Sequence, residues 1–345
     1  MGFKRFDPED LVISTDSVTA TVWSNNSPSL GTFFTDTTQV ASTTGQFYHH
    51  IYQSSPASEG SEVQFDIAYC DSSGGGGKNY NPNVAGITPT RTNYGQYRSL
   101  ILGDENSKFT FGNKVSEYFY ALSIERARYK EKLLPGSTEI SLKVGVNTLS
   151  LIDDSSIQSS VTFTDAGRVY NMVSGSIADG VFDGTNTNGW TSTNGSYGFF
   201  LPDISTILLN GKALDGSAAD GGILLATSRT STAANASNPT KITNALVSAA
   251  TSNKFFKLNS EETLSSDFIF VRARNNEFNY SENPSFISGS TGAVIFDSFI
   301  DNPTSYITTA GLYNDNNELL AVAKLSRPLP KDFTKELLVR VKLDF

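Results

Sequence analysis

The stretch CDSSGGGGKNY, residues 70–80, runs four glycines into a lysine, the composition of a loop that wraps backbone amides around a phosphate. A P-loop needs a glycine, four residues, then Gly-Lys-Ser/Thr. Counting back from Gly77-Lys78, the first glycine position holds Ser72, and Asn79 stands where the magnesium-binding hydroxyl belongs. A strand-like run precedes the loop, but NYNPNVAG follows, and its proline and close-set asparagines resist the helix that would complete the site. Gly74, Gly75, Gly76 and Gly77 therefore read as a flexible connection or a contact arm, free to turn or to pack closely against another chain.

His49 and His50 are the only histidines. Neighbouring strand residues point to opposite faces, so the two do not share one metal. A single cysteine, Cys70, rules out an internal disulfide and a cysteine-based zinc site. The carboxylate pairs Asp153-Asp154 and Glu261-Glu262 sit beside serine-rich sequence and read as solvated turns or helix starts. No Gly-x-Ser-x-Gly elbow is present. A dispersed Ser/His/Asp set is compatible with the sequence, and no spacing marks one. Trp190, Tyr197 and Phe199 could form a sugar platform or the buried edge of a strand. The expectation is a protein with no catalytic, metal or cofactor residues.

The apolar share of 38% with 18% charged residues suits a folded soluble chain of 345 residues. A net charge of −9 repels a phosphate backbone and argues against nucleic acid as a partner. No apolar run approaches the roughly 20 residues needed to cross a bilayer. The start, MGFKRFDPEDLVIS, lacks the apolar core of a secretory signal, and Phe6 stands where myristoylation wants Ser or Thr. Production and assembly inside a cell are expected. Abundant Ser, Thr and Asn, with 28 glycines and 12 prolines, favour short strands joined by polar loops. The fold class read from this is mainly β, with antiparallel sandwich-like domains, long polar loops and little helix.

Several strands are legible. LVISTDSVTATV (11–22) is β-branched and hydroxylated, and aromatics and threonines favour strands in FFTDTTQVASTTGQFYHHIYQSS. SEVQFDIAYC alternates as a half-buried strand, with Val63, Phe65, Ile67 and Tyr69 on one face. Within VSEYFYALSIERARYKEKLL (115–134), a period of two puts Arg126, Arg128, Lys130 and Lys132 on one strand face, with Pro135-Gly136 turning into the strand EISLKVGVNTLSLI. That basic ladder reads either as a contact for an acidic patch on a neighbouring subunit or as an edge strand guarded by lysine. One short helix is expected within residues 241–251. SYITTAGLY, the turn NDNN and ELLAVAKL form a hairpin, SRPLPKDF a proline-rigid connection. KELLVRVKLDF is a final strand with Leu337, Val339, Val341, Leu343 and Phe345 inward. Two domains are expected, residues 1–155 and 156–345, the second with a loop-rich insertion around 165–260.

ITTAGLYNDNNELLAVAKLSRPLPK, residues 307–331, resembles the hairpin pattern of tail fibre and baseplate proteins of tailed bacteriophages: a Gly-Leu-Tyr strand, an Asp/Asn turn and a Leu-Ala-Val strand. QYRSLILGDENSKFTFG, YFYALSIERARYKEKLLPGSTEISLKVG and DLVISTDSVTATVWS are similar to structural proteins of large contractile-tailed phages. The resemblance covers about half the chain; the turn NDNN departs from the usual Asp-Gly type, and residues 156–260 match nothing familiar. It implies a non-enzymatic virion protein of a contractile tail, a baseplate wedge subunit, bound to other tail and baseplate proteins in multiple copies. Such a protein is assembled in the host cytoplasm, without nucleic-acid or membrane partners. Alternatives are a neck, capsid-decoration or fibre-attachment protein, or, in another class, a carbohydrate-binding adhesin or depolymerase.

Overall fold

YFYALSI and TILLN offer no polar face, and the structure buries both sides of each. The computed structural model describes residues 4–36, 48–74, 90–112, 114–181, 196–229, 237–280 and 283–344. The strands begin with β1 (Leu11–Thr21), β2 (Ser29–Leu30), β3 (Phe34–Thr35), β4 (Tyr48–Tyr52), β5 (Val63–Asp71), β6 (Phe109–Phe111) and β7 (Lys114–Ser116). Next come β8 (Tyr118–Ile124), β9 (Lys132–Leu133), β10 (Glu139–Val144), β11 (Asn147–Asp153), β12 (Thr162–Thr164), β13 (Gly167–Ser176) and β14 (Gly180–Val181). The rest are β15 (Gly198–Leu201), β16 (Thr206–Asn210), β17 (Phe256–Lys257), β18 (Asn259–Ala273), β19 (Ser305–Tyr313), β20 (Leu319–Lys331) and β21 (Leu337–Asp344). Among the described residues four α-helices join them: α1 (Thr90–Leu102), α2 (Gly211–Asp215), α3 (Asn238–Ala250) and α4 (Ser298–Asp301). The fold is mainly β and antiparallel, as the composition predicts.

The chain divides into one unit of residues 18–262 and a second of residues 1–17 with 263–345. The boundary expected at residue 155 is not found there. β11 ends at Asp153 and pairs at once with β13, Ile152 opposite Val173, so the residues between are a short connection within one sheet.

In the larger unit the sheet path runs β2, β17, β10, β11, β13, β15, β16, β8, β5, β4, β3. Alternate residues of its strands enter different cores. Phe65, Ile67, Tyr69, Tyr120, Leu122, Ile207 and Leu209 join one cluster, which also takes Ile242, Ala245 and Leu246 of α3. Cys70, Phe119, Ala121 and Leu208 face the other, closed by Tyr94 and Ile101 of α1. The sheet is thus covered on both sides, which is why its central strands can be apolar throughout. β5 is correspondingly more buried than a half-buried strand: Gln64 is fully enclosed, its amide tied to Ser24, Gln53 and Glu62.

Residues 115–134 do not form the predicted hairpin. β8 ends at Ile124, a 3-10 helix spans Arg126–Arg128, and β9 pairs with β18 rather than with β10. The return segment is itself a hairpin, β10 against β11, turning at Gly145. The predicted turn at Pro135-Gly136 does form, with Gly136 at φ +83°, the left-handed conformation such a turn requires.

In the smaller unit β18 is flanked by β1 and β21, with Ala273 opposite Leu337 and Ser266 opposite Asp344. β19 and β20 form a separate two-stranded ribbon. β20 continues through Arg327-Pro328-Leu329-Pro330 to Lys331, where a rigid connection was expected. Proline fits because an outer strand leaves one row of N–H groups unpaired. Leu312, Val339 and Val341 are the buried members of this unit's apolar cluster.

Candidate assembly interface

The predicted basic ladder is not brought onto one face. Arg126, exposed on its 3-10 helix, folds back on the following backbone, donating to the carbonyls of Tyr129 at 2.6 Å and Lys130 at 2.8 Å, with its guanidinium 4.8 Å from the Tyr129 ring. Arg128 pairs with Glu62 at 2.5 Å, Lys130 with Glu262 at 2.7 Å and Lys132 with Glu131 at 3.2 Å. Three of the four cations are therefore balanced inside the unit, and the surface they were expected to offer is largely neutralised. Gly74 closes a turn at the end of β5, its N–H donating to Asp71. Gly75, Gly76 and Gly77 lie outside the described residues.

His49 and His50 point to opposite faces of β4, as their spacing requires. His49 is buried, its Nδ1 without a hydrogen-bond partner among the described residues. Burial, and secondarily the neighbouring His50, lower its pKa to about 4. His50 meets Asp66 at 2.5 Å. Asp153 and Asp154 are buried, contrary to the solvated turn expected of them. Asp153 accepts from the N–H of Gly136 at 2.9 Å and Asp154 from that of Asn171 at 2.8 Å. Both hold connections rather than facing a cleft. Glu261 and Glu262 are part of β18, not of a loop.

Tyr197 and Phe199 do not form a sugar platform. The Tyr197 hydroxyl donates to the Gly221 carbonyl from a buried position, and the Phe199 ring packs 4.8 Å from Phe111. Trp190 is outside the described residues.

A dense polar cluster surrounds Asp71, which is fully buried at the end of β5. Arg229 donates to both its carboxylate oxygens, at 3.0 and 3.1 Å, and also reaches Glu117 at 3.2 Å. The Tyr69 hydroxyl completes the set at 2.8 Å, its pKa pushed up by burial and by the Asp71 charge. Tyr118 and Thr227 meet on Asp215 nearby. These bonds fasten residues 215–229 to β5 and β8. They satisfy one another, which is the behaviour of a structural network.

The smaller unit presents a different surface. Its buried cluster is small, yet most of the large apolar side chains that are exposed in the described chain belong to it. Leu11, Val12 and Ile13 open β1, and Ile13 is 65% exposed. On the ribbon Tyr306, Tyr313, Leu319, Leu320 and Val322 are exposed, Leu320 at 68%. Among the described residues β19 and β20 pair only with each other, so both outer edges offer unpaired backbone groups. A two-stranded ribbon is marginal by itself, and an apolar one favours a covered state. The signal was in the sequence: consecutive apolar residues in a strand, as in Leu11-Val12-Ile13 and Leu319-Leu320, cannot all face one core.

Among the described residues no group of His, Cys, Asp or Glu could hold a metal ion, and no helix is long and apolar enough to cross a membrane. No protein-family model, curated protein or solved structure matches the chain.

Proposed function

We propose that the chain is a non-enzymatic structural protein of a contractile phage tail, a baseplate wedge subunit that bridges neighbouring proteins. The observation carrying this reading is the apolar surface of the smaller unit, where exposed Leu, Ile, Val and Tyr side chains surround a small buried cluster. Covering such a surface removes apolar area from water, at about 25 cal/mol per Å². The phage-like hairpin pattern of residues 307–331 falls on the ribbon that carries much of it. In this reading the partners are other tail and baseplate proteins, present in multiple copies of a symmetric virion assembly.

Leu320→Lys combined with Val322→Lys places two charges on the exposed ribbon face while leaving the buried cluster intact. Association with tail proteins, followed by co-sedimentation, should weaken tenfold or more, the scale of removing a central contact. The melting temperature of the isolated chain should hardly move. Undiminished co-sedimentation would count against the ribbon as the docking surface.

A further inference from the structure

Lys331, the last residue of β20, is fully buried. Its Nζ donates to the carbonyl of Asn275 at 3.0 Å, the carbonyl of Asp332 at 2.9 Å and the side-chain Oδ1 of Asn279 at 2.6 Å. Every one of these acceptors is neutral, and among the described residues no carboxylate pairs with this amine. An enclosed cation without a counter-charge keeps most of its desolvation cost.

Asn279 is buried as well, at 4% exposure. Its Nδ2 donates to the Asn275 carbonyl at 2.7 Å, which fixes the side-chain amide in orientation. Ser305, the cross-strand partner of Lys331, donates its hydroxyl to the Phe278 carbonyl, so the backbone beside the amide is held too. An amine and a carboxamide thus rest in contact, each immobilised, in a site closed to water. Contact of this kind replaces a bimolecular encounter with a positioned one.

We propose that Lys331 and Asn279 are joined by an intramolecular isopeptide bond. Starting from the Lys331 ammonium, Nζ gives up its extra proton and attacks Cγ of Asn279; the Nζ–Cγ bond forms and the Cγ–Nδ2 bond breaks. The two protons shed by Nζ pass to the departing nitrogen, which leaves as ammonium and carries the positive charge out of the site. No oxidant, reductant or cofactor enters the balance. The product is a neutral secondary amide, so the buried charge disappears, and its N–H retains a carbonyl of Asn275 or Asp332 as acceptor. The new bond closes the chain around all of β19 and the β19–β20 turn, and bolts the base of the ribbon to the segment after β18.

Intact-mass measurement of the denatured full chain decides the question. The expected mass is that of the sequence less one ammonia, with the loss located by fragmentation in a branched peptide joining Asn279 to Lys331. Lys331→Arg and Asn279→Ala should each return to the mass their sequences demand. Linear peptides carrying unmodified Lys331 and Asn279 would overturn the proposal. So would an ammonia loss mapped to another asparagine, or one that persists in either variant. The wild-type measurement is decisive by itself should a variant fail to fold.

Discussion

His49 shows how burial converts a titratable side chain into a stability term. Its ordinary value lies near 6.5, and enclosure lowers it to about 4 in the folded chain. Between those values the unfolded chain takes up a proton that the folded chain refuses, so stability falls as pH drops through the window. The loss from this residue should reach about 3 kcal/mol at pH 4 and be absent above pH 7. Denaturant titrations across pH 4–7 test this, with His49→Phe flattening the profile; an unchanged slope in that variant would assign the pH response to other groups. That the two histidines diverge was legible from their adjacency on a strand. The fate of Arg126, Arg128, Lys130 and Lys132 was not. Their alternation is a true period of two, but Glu62, Glu131 and Glu262 pair with three of them and the backbone folds into a 3-10 helix. Two of those acidic partners are far off in sequence, where local periodicity carries no information.

At the level of strands and helices, legibility followed how strongly each segment alternates. β1, β5, the β19–β20 hairpin and β21 stand where β-branched runs and polar turns placed them, and α3, Asn238–Ala250, overlaps the expected 241–251. α1 escaped because TRTNYGQYRSLIL is polar and contains Gly95, so its buried Tyr94 and Ile101 leave only a thin apolar stripe. Two glycines test this account in opposite directions. A side chain at Gly198 would stand 1.7 Å from the Leu208 carbonyl across β15 and β16, so Gly198→Ala should destabilise by about 3 kcal/mol. Gly95 meets nothing within 4 Å, and Gly95→Ala should stabilise α1 by about 1 kcal/mol. Thermal melts of both variants read the two signs; a neutral Gly198→Ala would mean that β15 and β16 approach less closely than described.

For the chain as a whole, the division into residues 18–262 and the combined 1–17 and 263–345 unit was hidden from the sequence, because the smaller unit is assembled from both ends of the chain. The two units differ in their apolar economy: one encloses both faces of a large sheet, the other leaves much of its apolar surface exposed. That contrast is the physical basis for reading the protein as a part that completes itself by binding. The deciding measurement is protein mass spectrometry on source particles after heads and tails have been separated on a gradient. Peptides of this chain should follow the tails and baseplates. Peptides confined to heads would contradict a baseplate position, and their absence from both fractions would contradict a virion role altogether.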